Sequence, residues 1–231
     1  MSDKTSAAWD AEYAAGRYVD EPPVPFVRDI LAAARSAGVD SGLYIGCGNG
    51  RNYLPLVAGG LDLTGLDVSS AAIDQLAARA PGRRDRLVRG DLAALPDGEV
   101  YPLVIGIQVF QHGDRAATHA HLRAAQHRLS PGGLFCLRVN AVGTDVWPAH
   151  EVTERGRGDG GFTVRYVEGP KRGLLIHFFA AAELAALFPA SAFAPVLPMR
   201  PRSTRRDLPS AGQWTQWECI WQGVSGGAVL P

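Results

Sequence analysis

The order of apolar and polar residues reads as alternating helices and strands over the first two thirds of the chain. Between residues 24 and 37, Phe26, Ile30, Leu31 and Ala34 recur at helical spacing, and Gly38 supplies a stop. Leu43 to Ile45 is a short apolar run that enters Gly46-Cys47-Gly48-Asn49-Gly50, so it reads as a buried strand feeding a tight turn. A helix follows over Arg51 to Val57, then a strand over Leu61 to Leu66. Ser69 or Ser70 can cap the next helix, whose stripe is Ile73, Leu76, Ala77 and Ala80. Arg86 to Arg89, Leu103 to Val109 and Leu134 to Val139 are further strands, and residues 115–129 form the helix before the last of these. Leu103 to Val109 is apolar enough to be covered on both faces. Ser130-Pro131-Gly132-Gly133 reads as a turn. Five strands with helices between them predict an α/β protein with a parallel, doubly wound sheet.

The pattern breaks after residue 140. Residues 141–175 are rich in Gly, Pro and charge without clear periodicity, and a stretch that long reads as a functional or disordered loop. Ala180 to Phe188 is a helix. Phe193 to Leu197 and Trp214 to Trp221 read as a final strand pair joined by a basic loop at 200–213. The expected organisation is one domain over residues 1–223 with a flexible tail at 224–231.

Composition narrows the function classes. The chain has 231 residues, 46% of them hydrophobic, which suits one domain with a full core. Lys plus Arg equals Asp plus Glu at 23 each, so no global basic signal points to nucleic acid, and a small-molecule partner is expected. Arg83, Arg84 and Arg86, and again Arg200, Arg202, Arg205 and Arg206, read as solvated loop charge. Cys47, Cys136 and Cys219 are far apart and lack metal-ligand spacing. His119 and His121 are two apart and point to different helix faces, so no metal site is expected. Neither a secretory segment nor an apolar stretch of the ~20 residues a membrane span needs is seen, which predicts a cytoplasmic location. A homodimer is compatible with all of this.

Candidate chemistry starts at the glycine turn. Glycines between strand and helix permit a sharp corner and let a ligand lie against backbone, with helix N–H groups nearby. The spacing is G-x-G-x-G, whereas a dinucleotide fingerprint is G-x-G-x-x-G. Arg51 stands where that fingerprint wants its third glycine. Asp67 ends the second strand, where a carboxylate can accept from both hydroxyls of a ribose. Asp91, after the third strand in Arg89-Gly90-Asp91-Leu92, can accept from an adenine amino group while the Leu92 N–H donates to a ring nitrogen. His112 follows the fourth strand, and histidine's ordinary pKa near neutrality makes it the candidate general base, with packing beneath a bound adenosine or capping of the following helix as the competing reading.

Taken in order, Leu43-Tyr44-Ile45-Gly46-Cys47-Gly48-Asn49-Gly50-Arg51-Asn52, then Asp67, Asp91 and the strand end at Gln108 to His112 resemble the class I S-adenosylmethionine (SAM)-dependent methyltransferases that act on small molecules. The family's first motif reads like LDLGCGTGRN, and the likeness runs from Trp9 to Pro189. Trp9-Asp10-Ala11-Glu12-Tyr13, followed by Gly16-Arg17-Tyr18, resembles its W-D-x-x-Y lid helix. The resemblance implies a Rossmann-like three-layer sandwich, a seven-stranded, mostly parallel sheet with an antiparallel last strand, and lid helices over residues 1–37. It implies SAM as cofactor, S-adenosylhomocysteine as product, and methyl transfer to an O or N nucleophile of a secondary metabolite. The cofactor would be held by Gly46, Cys47, Gly48, Asn52, Asp67 and Val68, with Asp91, Leu92 and Gln108 farther along and Tyr13 and Tyr18 on the lid. The methyl acceptor would meet Trp9, Trp147, Tyr166, His177 and Trp214 in a wall built from residues 141–175 and 200–213. Tyr44 departs from the family, which usually has an acidic residue there. Two other readings stay open: an NAD-linked oxidoreductase on the same kind of sheet, and a degenerate binding protein.

Overall fold

A computed structural model describes residues 3–156, 158, 160–169, 171–207 and 211–224, with side chains from residue 6 onward. The expected tail lies almost wholly outside these residues. The alternation read from the sequence is present as α1 (Asp3–Ala14), α2 (Phe26–Ala37), β1 (Ser41–Ile45), α3 (Tyr53–Ala58), β2 (Asp62–Asp67), α4 (Ser70–Arg79), β3 (Leu87–Arg89), β4 (Tyr101–Ile107), α5 (Arg115–Gln126) and β5 (Leu129–Asn140). Then come β6 (His150–Arg155), β7 (Phe162–Tyr166), β8 (Leu175–Phe178), α6 (Ala181–Leu187), β9 (Phe193–Arg205) and β10 (Gln213–Gly223). The main sheet has the order β3-β2-β1-β4-β5-β10-β9. β10 runs antiparallel to both neighbours, and every other pairing is parallel. This is the seven-stranded sheet with an antiparallel last strand that the resemblance implied.

Alternation along the strands divides the core between two layers. Val104, Phe135 and Leu137 pack with Leu122 and Ala125 of α5 and Leu184 and Leu187 of α6. Leu103, Ile105 and Cys136 pack on the other face with Phe26 and Ile30 of α2, Leu56 of α3 and Leu76 of α4. Local signals set the helix ends. Gly38 closes α2 in the left-handed conformation, and the Ser69 side chain accepts from the Ala72 N–H to open α4. Among the described residues no helix is long and apolar enough to cross a membrane.

Three expectations are corrected. Residues 141–175 are not a loop: β6, β7 and β8 form a separate antiparallel sheet that roofs one end of the main one. Its period was hard to read because β6 is exposed along nearly its whole length and the strands are only 4–6 residues long. The expected turn at 130–133 is a bulge inside β5, since Tyr101 pairs with Leu129 while Leu103 pairs with Leu134. Residues 200–205 of the expected basic loop at 200–213 are strand instead. β9 is the sheet's edge, where Pro195, Pro198 and Pro201 cost no ladder bonds on the open side.

The arginines read as solvated are partly paired. Arg200 bridges Asp29 at 2.5 Å and Glu218 at 3.1 Å, and Glu218 also meets the buried Arg138 at 3.1 Å. Arg83 and Arg86 each reach Asp62 at 2.6 Å.

Candidate active site

A cavity of about 660 Å³ opens at the carboxyl ends of β1, β2 and β4, beneath α1 and beside the small sheet. The glycine turn forms part of its floor. Gly46 (φ 72°) and Gly48 (φ 56°) are left-handed. A Cβ on Gly46 would lie 2.7 Å from the Val109 side chain, and one on Gly48 would lie 2.5 Å from the Tyr13 hydroxyl. The turn therefore needs glycine for both its dihedrals and its close approaches.

Asp67 holds this turn against the next helix. Its Oδ2 accepts from the Gly48 N–H at 2.8 Å and its Oδ1 from the Ser69 N–H at 2.9 Å. Each oxygen keeps a lone pair for a further donor. Burial raises the carboxyl's pKa, while the backbone N–H groups of Ser69, Gly48 and Val68 oppose that rise. Asp91 lines the same cavity and accepts from the Ala93 N–H at 3.0 Å.

At the tip of β4, Gln108 adopts φ 60°, a strained conformation for a non-glycine residue. That corner presents its carbonyl to two side chains. Gln111 Nε2 donates to it at 2.8 Å, and His112 Nε2 donates to it at 3.1 Å. The bond fixes His112 as the neutral tautomer with the proton on Nε2. Its other nitrogen, Nδ1, and Gln111 Oε1 are buried acceptors with no donor among the described residues. Burial, with Lys171 nearby, pushes the His112 pKa down to about 3. This differs from the near-neutral value expected of a general base: His112 is uncharged and weakly basic at neutral pH.

The roof is α1, which has no apolar stripe and docks by polar contacts. Asp10 Oδ1 accepts from the Ser69 hydroxyl at 2.6 Å and the Ala71 N–H at 3.1 Å. The Ser69 hydrogen bond leads the lowering of the Asp10 pKa. Ser6 donates to the Val68 carbonyl at 3.0 Å and Gln75 to the Tyr13 carbonyl at 2.8 Å. Trp9, Tyr13 and Tyr18 cluster beneath it, with ring centroids 5.7–6.4 Å apart. Trp9 also meets His112 edge-on at 5.0 Å. Burial raises the Tyr18 pKa to about 12, so it stays a neutral phenol. Asp10→Ala is expected to lower stability by about 1 kcal/mol, as loss of a helix cap does, and to speed proteolysis of the N-terminal segment. Equal melting temperatures and cleavage rates would contradict that anchoring role.

Of the residues singled out from sequence, Tyr13, Tyr18, Gly46, Cys47, Gly48, Asn52, Asp67, Val68, Asp91, Gln108 and His112 all line this cavity, as do Trp9, Trp147, Tyr166 and Trp214. Leu92 does not: its side chain is in the core, leaving only its backbone N–H for the expected role. His177 does not either. Successive strand residues face opposite ways, so Ile176 and Phe178 line the cavity while His177 faces α5 and α6. There its Nε2 lies 2.9 Å from Glu183 Oε1 and its Nδ1 lies 2.9 Å from the Thr163 hydroxyl. His119 reaches the same Glu183 oxygen at 2.5 Å and Arg115 at 3.2 Å. Tyr44, where an acidic residue was expected, is fully buried and packs on Tyr53 at 6.3 Å. Gln111, Lys171 and Arg206 line the cavity without having been singled out as site residues. Lys171 lies in Gly-Pro-Lys-Arg-Gly, which carries no signal separating it from an exposed turn.

The family comparison agrees with this geometry. Residues 43–133 match the model of the methyltransferase domain family. Solved structures match nearly the whole chain. One similar structure is the 1,6-didemethyltoxoflavin-N1-methyltransferase of Burkholderia thailandensis, bound to 1,6-didemethyltoxoflavin and S-adenosylhomocysteine. It is 21% identical over 96% of this chain and 90% of its own, with a TM-score of 0.62. The N-methyltransferase NodS of Bradyrhizobium japonicum, in complex with S-adenosylhomocysteine, is 17% identical over 96% of this chain and 99% of its own, with a TM-score of 0.62. The CcbJ methyltransferase of Streptomyces caelestis is 18% identical over 87% and 97%, with a TM-score of 0.57. No curated protein sequence matches the chain. The matched segment runs from β1 into β5 and carries the glycine turn, Asp67, Asp91 and His112.

Proposed function

We propose that this protein transfers a methyl group from SAM to an O or N nucleophile of a small molecule. One observation carries the reading: the Gly46–Gly48 cradle, Asp67 and Asp91, from three successive strand ends, line a single cavity. The residues fit the cofactor. The cradle has no room for a Cβ, Asp67 at the end of β2 would accept from ribose hydroxyls, and Asp91 on the same cavity would accept from the adenine amino group. Aromatic faces of Trp9, Tyr13 and Tyr18 suit a cationic centre. Similar proteins solved with S-adenosylhomocysteine support the same choice. When bound, SAM supplies an activated methyl group and its own leaving group.

The chain's task is then to align, to shield and to hold a nucleophile. Gln111 Oε1 and His112 Nδ1, buried acceptors on the cavity lining, are suited to receive an N–H or O–H. They orient the acceptor rather than strip it at neutral pH, because His112 is too weak a base. The methyl-transfer rate is therefore expected to show no inflection near pH 6.5 from His112. Its protonated fraction becomes appreciable only as the pH approaches about 3. An inflection near 6.5 that vanishes in His112→Gln would restore His112 as general base.

Isothermal titration with S-adenosylhomocysteine and with NADH tests the main reading. Binding of S-adenosylhomocysteine alone is expected. Binding of NADH alone would replace the reading with hydride transfer.

A further inference from the structure

The cavity holds a lysine that no carboxylate pairs with among the described residues. Lys171, in the connection between β7 and β8, lines the cavity with its Nζ 5.7 Å over the Trp9 ring. Trp9 in turn touches His112, so the ammonium lies beside the tip of β4. No carboxylate forms an ion pair with it among the described residues. The acids around it are committed elsewhere. Glu12 is 3.4 Å from both Arg17 Nε and the Tyr18 hydroxyl, and Glu168 Oε1 accepts from the Ala149 N–H at 3.0 Å. A second cation adds to the field. Arg206 lines the same cavity and donates to the neutral Asp145 carbonyl. Burial lowers the Lys171 pKa, with Glu12 opposing the shift and Arg17 and Arg206 adding to it.

The walls around this charge are flat and aromatic. Trp147 and Tyr166 come from the insertion and Trp214 from β10, and all three line the cavity. Trp214 is held in place by its Nε1–H, which donates to Asn140 Oδ1 at 2.9 Å. A desolvated ammonium without a partner is costly, and an anion that enters beside it recovers that cost through a charge-assisted hydrogen bond. Aromatic walls select a planar body to carry that anion.

We propose that the methyl acceptor is a planar aromatic or heteroaromatic small molecule bearing an anionic oxygen group, carboxylate or phenolate, and that Lys171 holds that group. This rests on the methyl-transfer reading above and names the substrate class for it.

The test uses full-length protein and two probes of nearly equal shape, salicylate and salicylamide, titrated by tryptophan fluorescence with and without saturating S-adenosylhomocysteine. Salicylate is expected to bind at least about tenfold more tightly, the scale of one hydrogen bond to a charged group. Lys171→Met should abolish the preference and Lys171→Arg should keep most of it, with unchanged melting temperatures showing that both variants fold. Equal affinities of the wild type for the two probes, binding of neither, or a preference that survives in Lys171→Met would overturn the proposal. S-adenosylhomocysteine binding in the same samples is a separate readout. Its loss would sink the methyl-transfer reading, whereas its presence without an anion preference would sink only the role of Lys171.

Discussion

Asp67→Ala is expected to weaken S-adenosylhomocysteine binding by roughly 1.5–3 kcal/mol, the range for hydrogen bonds made to a charged group. Two losses combine. The lone pairs available to ribose hydroxyls disappear, and the Gly48 and Ser69 N–H groups lose the acceptor that sets the turn against α4. The cradle would then loosen where its glycines approach Val109 and Tyr13 most closely. Calorimetric titration of a folded variant decides the matter: an unchanged dissociation constant would remove Asp67 from the cofactor site. A lowered melting point together with weaker binding is the expected pair of results, because one carboxylate serves both turn and ligand.

The second large effect concerns stability. Glu183 is wholly buried, and its Oε1 gathers His119, His177 and Arg115. Burial alone would raise its pKa, but the His119 and His177 hydrogen bonds outweigh burial and hold it down to about 2. A carboxylate whose folded pKa lies below its ordinary value stabilises the fold at neutral pH. That contribution begins to fade as pH falls below the ordinary carboxylate value near 4.5, and it is gone below about 2. Glu183→Ala removes the anion and leaves its donors facing one another, so a loss of about 3–5 kcal/mol is expected, the usual result of breaking a buried pair from one side. Chemical denaturation at pH 7 measures it, and the gap between wild type and variant should narrow as the pH is lowered toward 3. A constant gap would show that the effect comes from packing and not from charge. Cofactor affinity should change little, since the cluster faces away from the cavity.

The fold and the residues that line the cavity from the strand ends were legible because their signals are local. The strand, the G-x-G-x-G corner and the following helix are contiguous, and Asp67 and Asp91 each sit at the end of a strand whose apolar run shows in the sequence. The acceptor half was only half legible. Trp147, Tyr166 and Trp214 were named as aromatics, yet nothing local says that the segment before β6, the end of β7 and the start of β10 bring them to one cavity. His177 was misplaced because the face of β8 on which it stands depends on register, and a shift of one residue reverses the side. The basic stretch from Arg200 to Arg206 read as a loop because its prolines and charges are those of an edge strand. His112 was found, but its basicity was not, because burial is set by residues distant in the chain.

The docking of α1 completes one wall of the cavity. The helix is tied to α4 by hydrogen bonds through Asp10, Ser6 and Gln75 rather than by an apolar seam. Lifting it breaks those bonds and lays bare little of the core. Yet Trp9, which shoulders both His112 and Lys171, travels with it. Without α1 the cavity lacks the wall that Trp9 and Tyr13 supply. The cavity keeps this wall only while the helix lies over the glycine turn.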